Sequence, residues 1–124
     1  MTLATAHTPN FRGWRSSFYS YGRLIRGADG TVVANKESSD CTEAEKKKIK
    51  EVNPFFFVFK ADWLWGNIKK IGCENKQKEY YLGDLIAMAL AQGEKLAAFP
   101  VPLETALGIN TQEHLRRIEK VLTR

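Results

Sequence analysis

Two cysteines, Cys41 and Cys73, and two histidines, His7 and His114, are all the thiol and imidazole ligands that this 124-residue chain carries. None stands at metal-like spacing to another, which excludes a zinc module and makes both thiols read as free. The apolar runs Phe55–Phe59 and Leu85–Ala91 fall far short of the roughly 20 residues that a membrane helix needs, so no span is expected. Met1 to Arg12 carries neither a basic head before an apolar stretch nor an Arg-rich amphipathic pattern, and the expected location is cytoplasmic. The nine glycines form neither GxGxxG nor GxxxxGK[ST], so neither common phosphate-binding loop is present. HExxH and the nucleophile elbow are absent too, which weakens any hydrolase reading.

What is present suits a single domain over residues 1–124. Apolar residues make up 44% of the chain, enough for a core, and the net charge of +5 gives a surface that favours anions without naming one. Thr2 to Ala6 reads as a strand. Tyr21–Arg26 and Thr31–Ala34 flank Ala28-Asp29-Gly30 as a hairpin. Thr42 and Glu45 have capping-box spacing for a short helix whose lysines read as a solvated face. The run around Phe55–Phe59 predicts a central strand buried on both sides. Asp62 is placed to cap a helix through Leu64, Ile68 and Ile71 that ends at Gly72. Tyr80–Gln92 predicts a second, well-buried helix closed by Gly93, and Lys95–Val101 a strand at an edge or strand end. From Thr111 a last helix carries Leu115, Ile118 and Leu122. Strand and helix in alternation imply an α/β fold.

Five short strings occur in order: Tyr21-Gly22-Arg23; Glu37 with Asp40-Cys41-Thr42; Glu51-Val52-Asn53; Asn75 to Asp84; and Gly108-Ile109-Asn110. In that order, from about Thr2 to Leu122, they resemble the second, acceptor-side half of the nucleotidyltransferase domain in the bacterial N-acetylglucosamine-1-phosphate uridylyltransferase family. The resemblance implies a partial Rossmann-like sheet with flanking helices and a β-hairpin, lacking the N-terminal nucleotide-binding half. In that family a sugar-1-phosphate oxygen attacks the α-phosphate of a nucleoside triphosphate and magnesium neutralises charge as pyrophosphate leaves. Carried over by motif, the Gly22 backbone, the Glu37 carboxylate and the Asn53 amide would face the sugar-1-phosphate, and Asn110 would be a magnesium ligand beside an aspartate from the first half. No residue of this chain is implied to act as nucleophile or base, and without the nucleotide-binding half the chain alone is expected to be inactive.

Each residue also has a plainer reading. Gly22 serves a chain bend, Glu37 is a surface carboxylate, Asn53 satisfies backbone groups at a strand entrance, and Asn110 caps the last helix. Glu79, Tyr80, Tyr81 and Asp84 read as structural, the tyrosines packing inward. The chain departs from the family strings at Pro54-Phe55, where a small residue and glycine are usual, at Gly83 for threonine and at Lys78 for glycine.

Three classes of function remain in view. The first is part of a sugar nucleotidyltransferase that meets its nucleoside triphosphate through another half or a split-enzyme partner. The second is a non-catalytic binding or interaction domain derived from that family and self-associating as a homo-oligomer. The weakest is a nucleic-acid binder built on Arg12, Arg15, Lys46–Lys48 and the aromatics Trp14, Phe18 and Tyr19, which lie on unlike elements and match no common module.

Overall fold

The structure, a computed structural model, describes residues 1–123. Its frame is one mixed six-stranded sheet: β1 (Thr2–His7), β2 (Gly22–Arg26), β3 (Val32–Lys36), β4 (Glu51–Asn53), β5 (Phe57–Val58) and β6 (Ala97–Pro100). The path β3-β2-β4-β1-β5 is antiparallel throughout, and β6 adds to β1 in parallel. Four helices flank it: α1 (Glu43–Lys48), α2 (Ala61–Asn67), α3 (Asp84–Ala91) and α4 (Gln112–Leu122). Among the described residues no helix is long and apolar enough to cross a membrane. The α/β expectation with a hairpin is met.

The strand buried on both faces is β1, not the phenylalanine run. Leu3 through Ala6 are all buried, and side chains alternate along a strand, so Leu3 and Ala6 serve opposite faces. On one face Leu3, Leu24 and Val32 meet Ile86 of α3. On the other, Ala6 and Val52 meet Phe18, from the 3-10 helix Gly13–Ser20, and Ala106. Each such fully buried Leu or Ile contributes about 1.5–3 kcal/mol.

Pro54 explains why the phenylalanine run fails as a central strand. Proline has no N–H for the ladder, and Phe55 turns to φ 62°, so the pairing with β1 jumps from Ala6–Val52 to Leu3–Phe57. What resumes is the two-residue edge strand β5, and Phe55, Phe56 and Val58 are exposed.

Other boundaries shift for local reasons. Asp62 does not cap α2; it sits in the first turn of a helix entered from Lys60, and a 3-10 turn extends it to Lys70. The helix expected from Tyr80 starts at Asp84. Upstream, the Asn75 side chain accepts from the N–H groups of Gln77 and Glu79 and donates to the Glu79 carbonyl, which makes a loop the better partner for this backbone. Lys78 at φ 54° fixes that loop, and Tyr80 points outward at 74% exposure rather than packing inward. The capping box forms as read: Thr42 accepts from the Glu45 N–H and Glu45 from the Thr42 N–H. Glu45 also takes Lys36 at 2.8 Å, and these bonds hold its carboxyl down at about 2. Lys47 and Lys48 are exposed, while Lys46 is half-buried, paired with Glu43 and over the Tyr19 ring.

Candidate functional site

Asn35 and Glu37, two residues apart at the end of β3, leave the strand on one side. The Asn35 Nδ2 donates to Glu37 Oε1 at 3.0 Å, and Asn53 Nδ2 donates to Asn35 Oδ1 at 3.1 Å. Asn53 Oδ1 accepts in turn from the Phe55 N–H at 2.9 Å. β4 places Asn53 beside β2, where it pairs with Gly22. This row of amides ends on a carboxylate whose Oε2 has no hydrogen-bond partner among the described residues.

Two glycines make room for the row. A Cβ at Gly22 would stand 3.2 Å from Asn35 Oδ1 and 3.4 Å from Glu37 Oε2. At Gly83 it would stand 2.8 Å from both Asn35 Nδ2 and Glu37 Oε1, a distance that real Cβ atoms avoid. Three of the residues singled out from sequence, Gly22, Glu37 and Asn53, are thus brought together. Asn53 is fully buried and both of its amide atoms are engaged, so it positions Asn35 and Phe55.

The row opens into a cleft of about 390 Å³ bounded by Asn35, Glu37, Asp40, Asn75, Tyr81 and Asp84. Burial pushes the Glu37 carboxyl up, the Asn35 hydrogen bond pulls it partly back, and the charges of Asp84 and Asp40 raise it further. Asp84 is likewise pushed up, by burial first and then by Asp40. Lys36 also lines the cleft, but its ammonium is held by Glu45. Amides and crowded carboxylates accept and donate to hydroxyls well, and the negative charge disfavours phosphate in this part of the site.

Asn110 lines a different cleft of about 260 Å³, with Ser20, Tyr21, Pro54, Phe55 and Gly108. Tyr21 docks its loop: the hydroxyl donates to the Ala106 carbonyl at 3.0 Å and accepts from the Gly108 N–H at 2.6 Å. Thr111, not Asn110, caps α4 through its side-chain oxygen and the His114 N–H, so the Asn110 amide is not the cap. No carboxylate lines this cleft, and among the described residues no group of three or more His, Cys, Asp or Glu side chains is arranged for a metal. A lone neutral amide does not fit magnesium; it fits as one ligand among carboxylate and phosphate oxygens supplied from elsewhere.

Sequence reasoning missed Asn35, the hub of the row, and took Asp84 as purely structural. Asn35 lies just past the strand expected to end at Ala34, so no sequence signal drew it forward. Arg23 proves structural: fully buried, it donates to the carbonyls of Tyr19 and Lys46 at 3.2 Å each and lies over the Phe11 ring. The aromatics beside the basic residues are partly consumed as well. Phe18 is fully buried and Tyr19 donates to Glu43, while Trp14 shares a groove of about 450 Å³ with Arg117 and Lys120. Both cysteines are free, Cys41 within the core.

No family model matches the chain. It is similar to a segment of the bifunctional protein GlmU from several bacteria. The identity is 42% over 106 residues with that of Anaeromyxobacter sp. strain Fw109-5, which covers 86% of this chain and 21% of the relative. With that of Clostridium acetobutylicum it is 39% over 121 residues, covering 98% and 25%. With that of Clostridium kluyveri it is 36% over 104 residues, covering 84% and 23%. The chain therefore spans about a quarter or less of the length of these curated relatives.

Proposed function

We propose that this chain supplies the acceptor side of a sugar-1-phosphate nucleotidyltransferase of the N-acetylglucosamine-1-phosphate uridylyltransferase type. The observation that carries the reading is the Asn35–Glu37 pair on the cleft wall, backed by the buried Gly22, Asn53 and Gly83 that pack against it. Glu37 Oε2 accepts from sugar hydroxyls, Asn35 is held in register by Asn53, and Gly22 and Gly83 leave room for the two side chains to stand together. The GlmU similarity supports a transferase-derived domain of nucleotide-sugar biosynthesis. The nucleoside triphosphate is held by residues outside this chain, which has no phosphate-binding loop of either common kind. Those residues also bring the carboxylates that let Asn110 share in a magnesium site, where the ion supplies charge neutralisation on phosphate oxygens. Catalysis by displacement at phosphorus is mainly positioning and electrostatics, so an orienting half without a nucleophile is chemically sufficient for its share.

The test is calorimetric titration with N-acetylglucosamine-1-phosphate and, separately, UTP. The reading expects saturable sugar-phosphate binding that Glu37→Ala and Asn53→Ala both weaken at least roughly tenfold, about 1.4 kcal/mol. UTP alone should not bind. No sugar-phosphate binding by the wild-type chain would sink it.

A second reading is favoured by β5, an edge strand whose Val58 is 68% exposed with Phe56 beside it. Such an edge invites pairing, and a non-catalytic domain that self-associates through it would show a concentration-dependent mass in sedimentation.

A further inference from the structure

Phe55 lines the Asn110 cleft, with its ring edge reaching toward Gly83 beside Glu37, in a conformation that phenylalanine avoids. Its φ of 62° lies in the left-handed region, where an L side chain is strained and glycine is not. The strain is held in place by a built contact, the Asn53 Oδ1 accepting from the Phe55 N–H, and by Phe57, whose ring meets it edge-on at 6.1 Å and 77°. Its Cε1 comes within 3.7 Å of the position a Gly83 Cβ would take, beside Glu37, and the residue also lines the cleft that holds Asn110. Yet the side chain is 41% exposed, so core packing does not account for keeping a large ring at a strained position. Strain that persists without a packing reason points to use.

We infer that Phe55 is a specificity residue of the acceptor site, an aromatic wall that stacks on the C–H face of the sugar ring while Glu37 and Asn35 hold its hydroxyls. The inference rests on the acceptor-side reading and names what that reading leaves open, the surface that recognises the apolar face of the ligand. A pyranose with equatorial substituents presents such a face; a hydroxyl directed at the ring removes it. Amides and a carboxylate on one side with an aromatic plane on the other match a sugar better than a nucleotide phosphate, which needs donors and cations.

Three variants separate the ring from the backbone: Phe55→Gly, Phe55→Ala and Phe55→Trp, each melted and each titrated with N-acetylglucosamine-1-phosphate. Stability should follow the backbone, with Phe55→Gly melting about 3–5 °C above Phe55→Ala because only glycine relieves the left-handed strain. Binding should follow the ring: lost roughly tenfold or more in both small variants and kept within about threefold in Phe55→Trp. A merely structural role would make binding track melting, so that Phe55→Gly binds better than Phe55→Ala. Binding that survives in Phe55→Gly, or is lost in Phe55→Trp, overturns the inference while leaving the acceptor reading intact. Absence of sugar-phosphate binding in the wild type overturns both.

Discussion

Replacing Gly83 with alanine should spare the fold and empty the site. Gly83 has φ −60° and ψ −22°, ordinary right-handed backbone, so alanine is favoured there by about 0.5–1 kcal/mol through lost freedom of the unfolded chain. Against this, the new Cβ would sit 2.8 Å from Asn35 Nδ2 and 2.8 Å from Glu37 Oε1. Both are ends of side chains on a half-buried edge, so they swing away rather than force the sheet apart. What is lost is their 3.0 Å hydrogen bond to a charged acceptor, about 1.5–3 kcal/mol when buried and roughly half that with partial solvent replacement. The net cost lies between about zero and 1 kcal/mol, a fall in Tm of at most about 5 °C for a chain of this size. Affinity for N-acetylglucosamine-1-phosphate should fall at least roughly tenfold, since the hydroxyl acceptors no longer converge. Circular-dichroism melting beside calorimetry reads both. Unchanged affinity, or a fall in Tm beyond about 10 °C, would refute the reasoning: the first because the pair then does not touch ligand, the second because it is part of the rigid core.

Three further predictions concern the same framework. Glu37→Gln keeps an acceptor for Asn35 but removes a carboxylate whose folded pKa is raised; such a group adds stability that is full below its unfolded value near 4.5 and lost as pH rises through the folded value. The variant should therefore gain on the wild type as pH climbs from about 4 to 7, read as the difference in Tm across that range, and a constant difference would contradict it. Tyr21→Phe strips both hydrogen bonds that dock the Asn110 loop, at a cost of about 1–3 kcal/mol, and should speed amide exchange at Gly108, whose donor loses its acceptor. Thr42→Ala opens the capping box of α1 for about 1 kcal/mol, seen as a Tm lower by about 3–5 °C; no change would show the helix to be held by Lys36–Glu45 instead.

Local chemistry was legible wherever one residue decides it. The Thr42–Glu45 box, the Asp29-Gly30 turn and the Gly93 helix stop, with φ 69°, all stand where the residues place them. Burial was less legible, because a run of phenylalanines and a run of Leu-Ala-Thr-Ala both suit a buried strand, and Pro54 decided between them by its missing N–H. The start of α3 was misplaced because the loop that Asn75 and a left-handed Lys78 fix runs to Glu79, and the chain then enters the helix through i to i+3 turns over Tyr81–Ile86. At the site, ordered strings brought Gly22, Glu37 and Asn53 forward, and the sheet register joined them. Asn35 stayed hidden because a strand asparagine gives no signal until its partners on β4 are known, and Phe55 because backbone strain is invisible in a list of residues.

The acceptor cleft is tested most directly by following backbone and side-chain amide resonances of the 15N-labelled chain during titration with N-acetylglucosamine-1-phosphate. Saturating shifts at the Asn35 side-chain amide and at the Glu37, Phe55 and Gly83 backbone amides, with Trp14 and Arg117 still, are the predicted result. Shifts gathered instead on the Trp14, Arg117 and Lys120 groove would contradict the account, because the ligand would then be held by its charge alone, away from the glycine-lined row of amides.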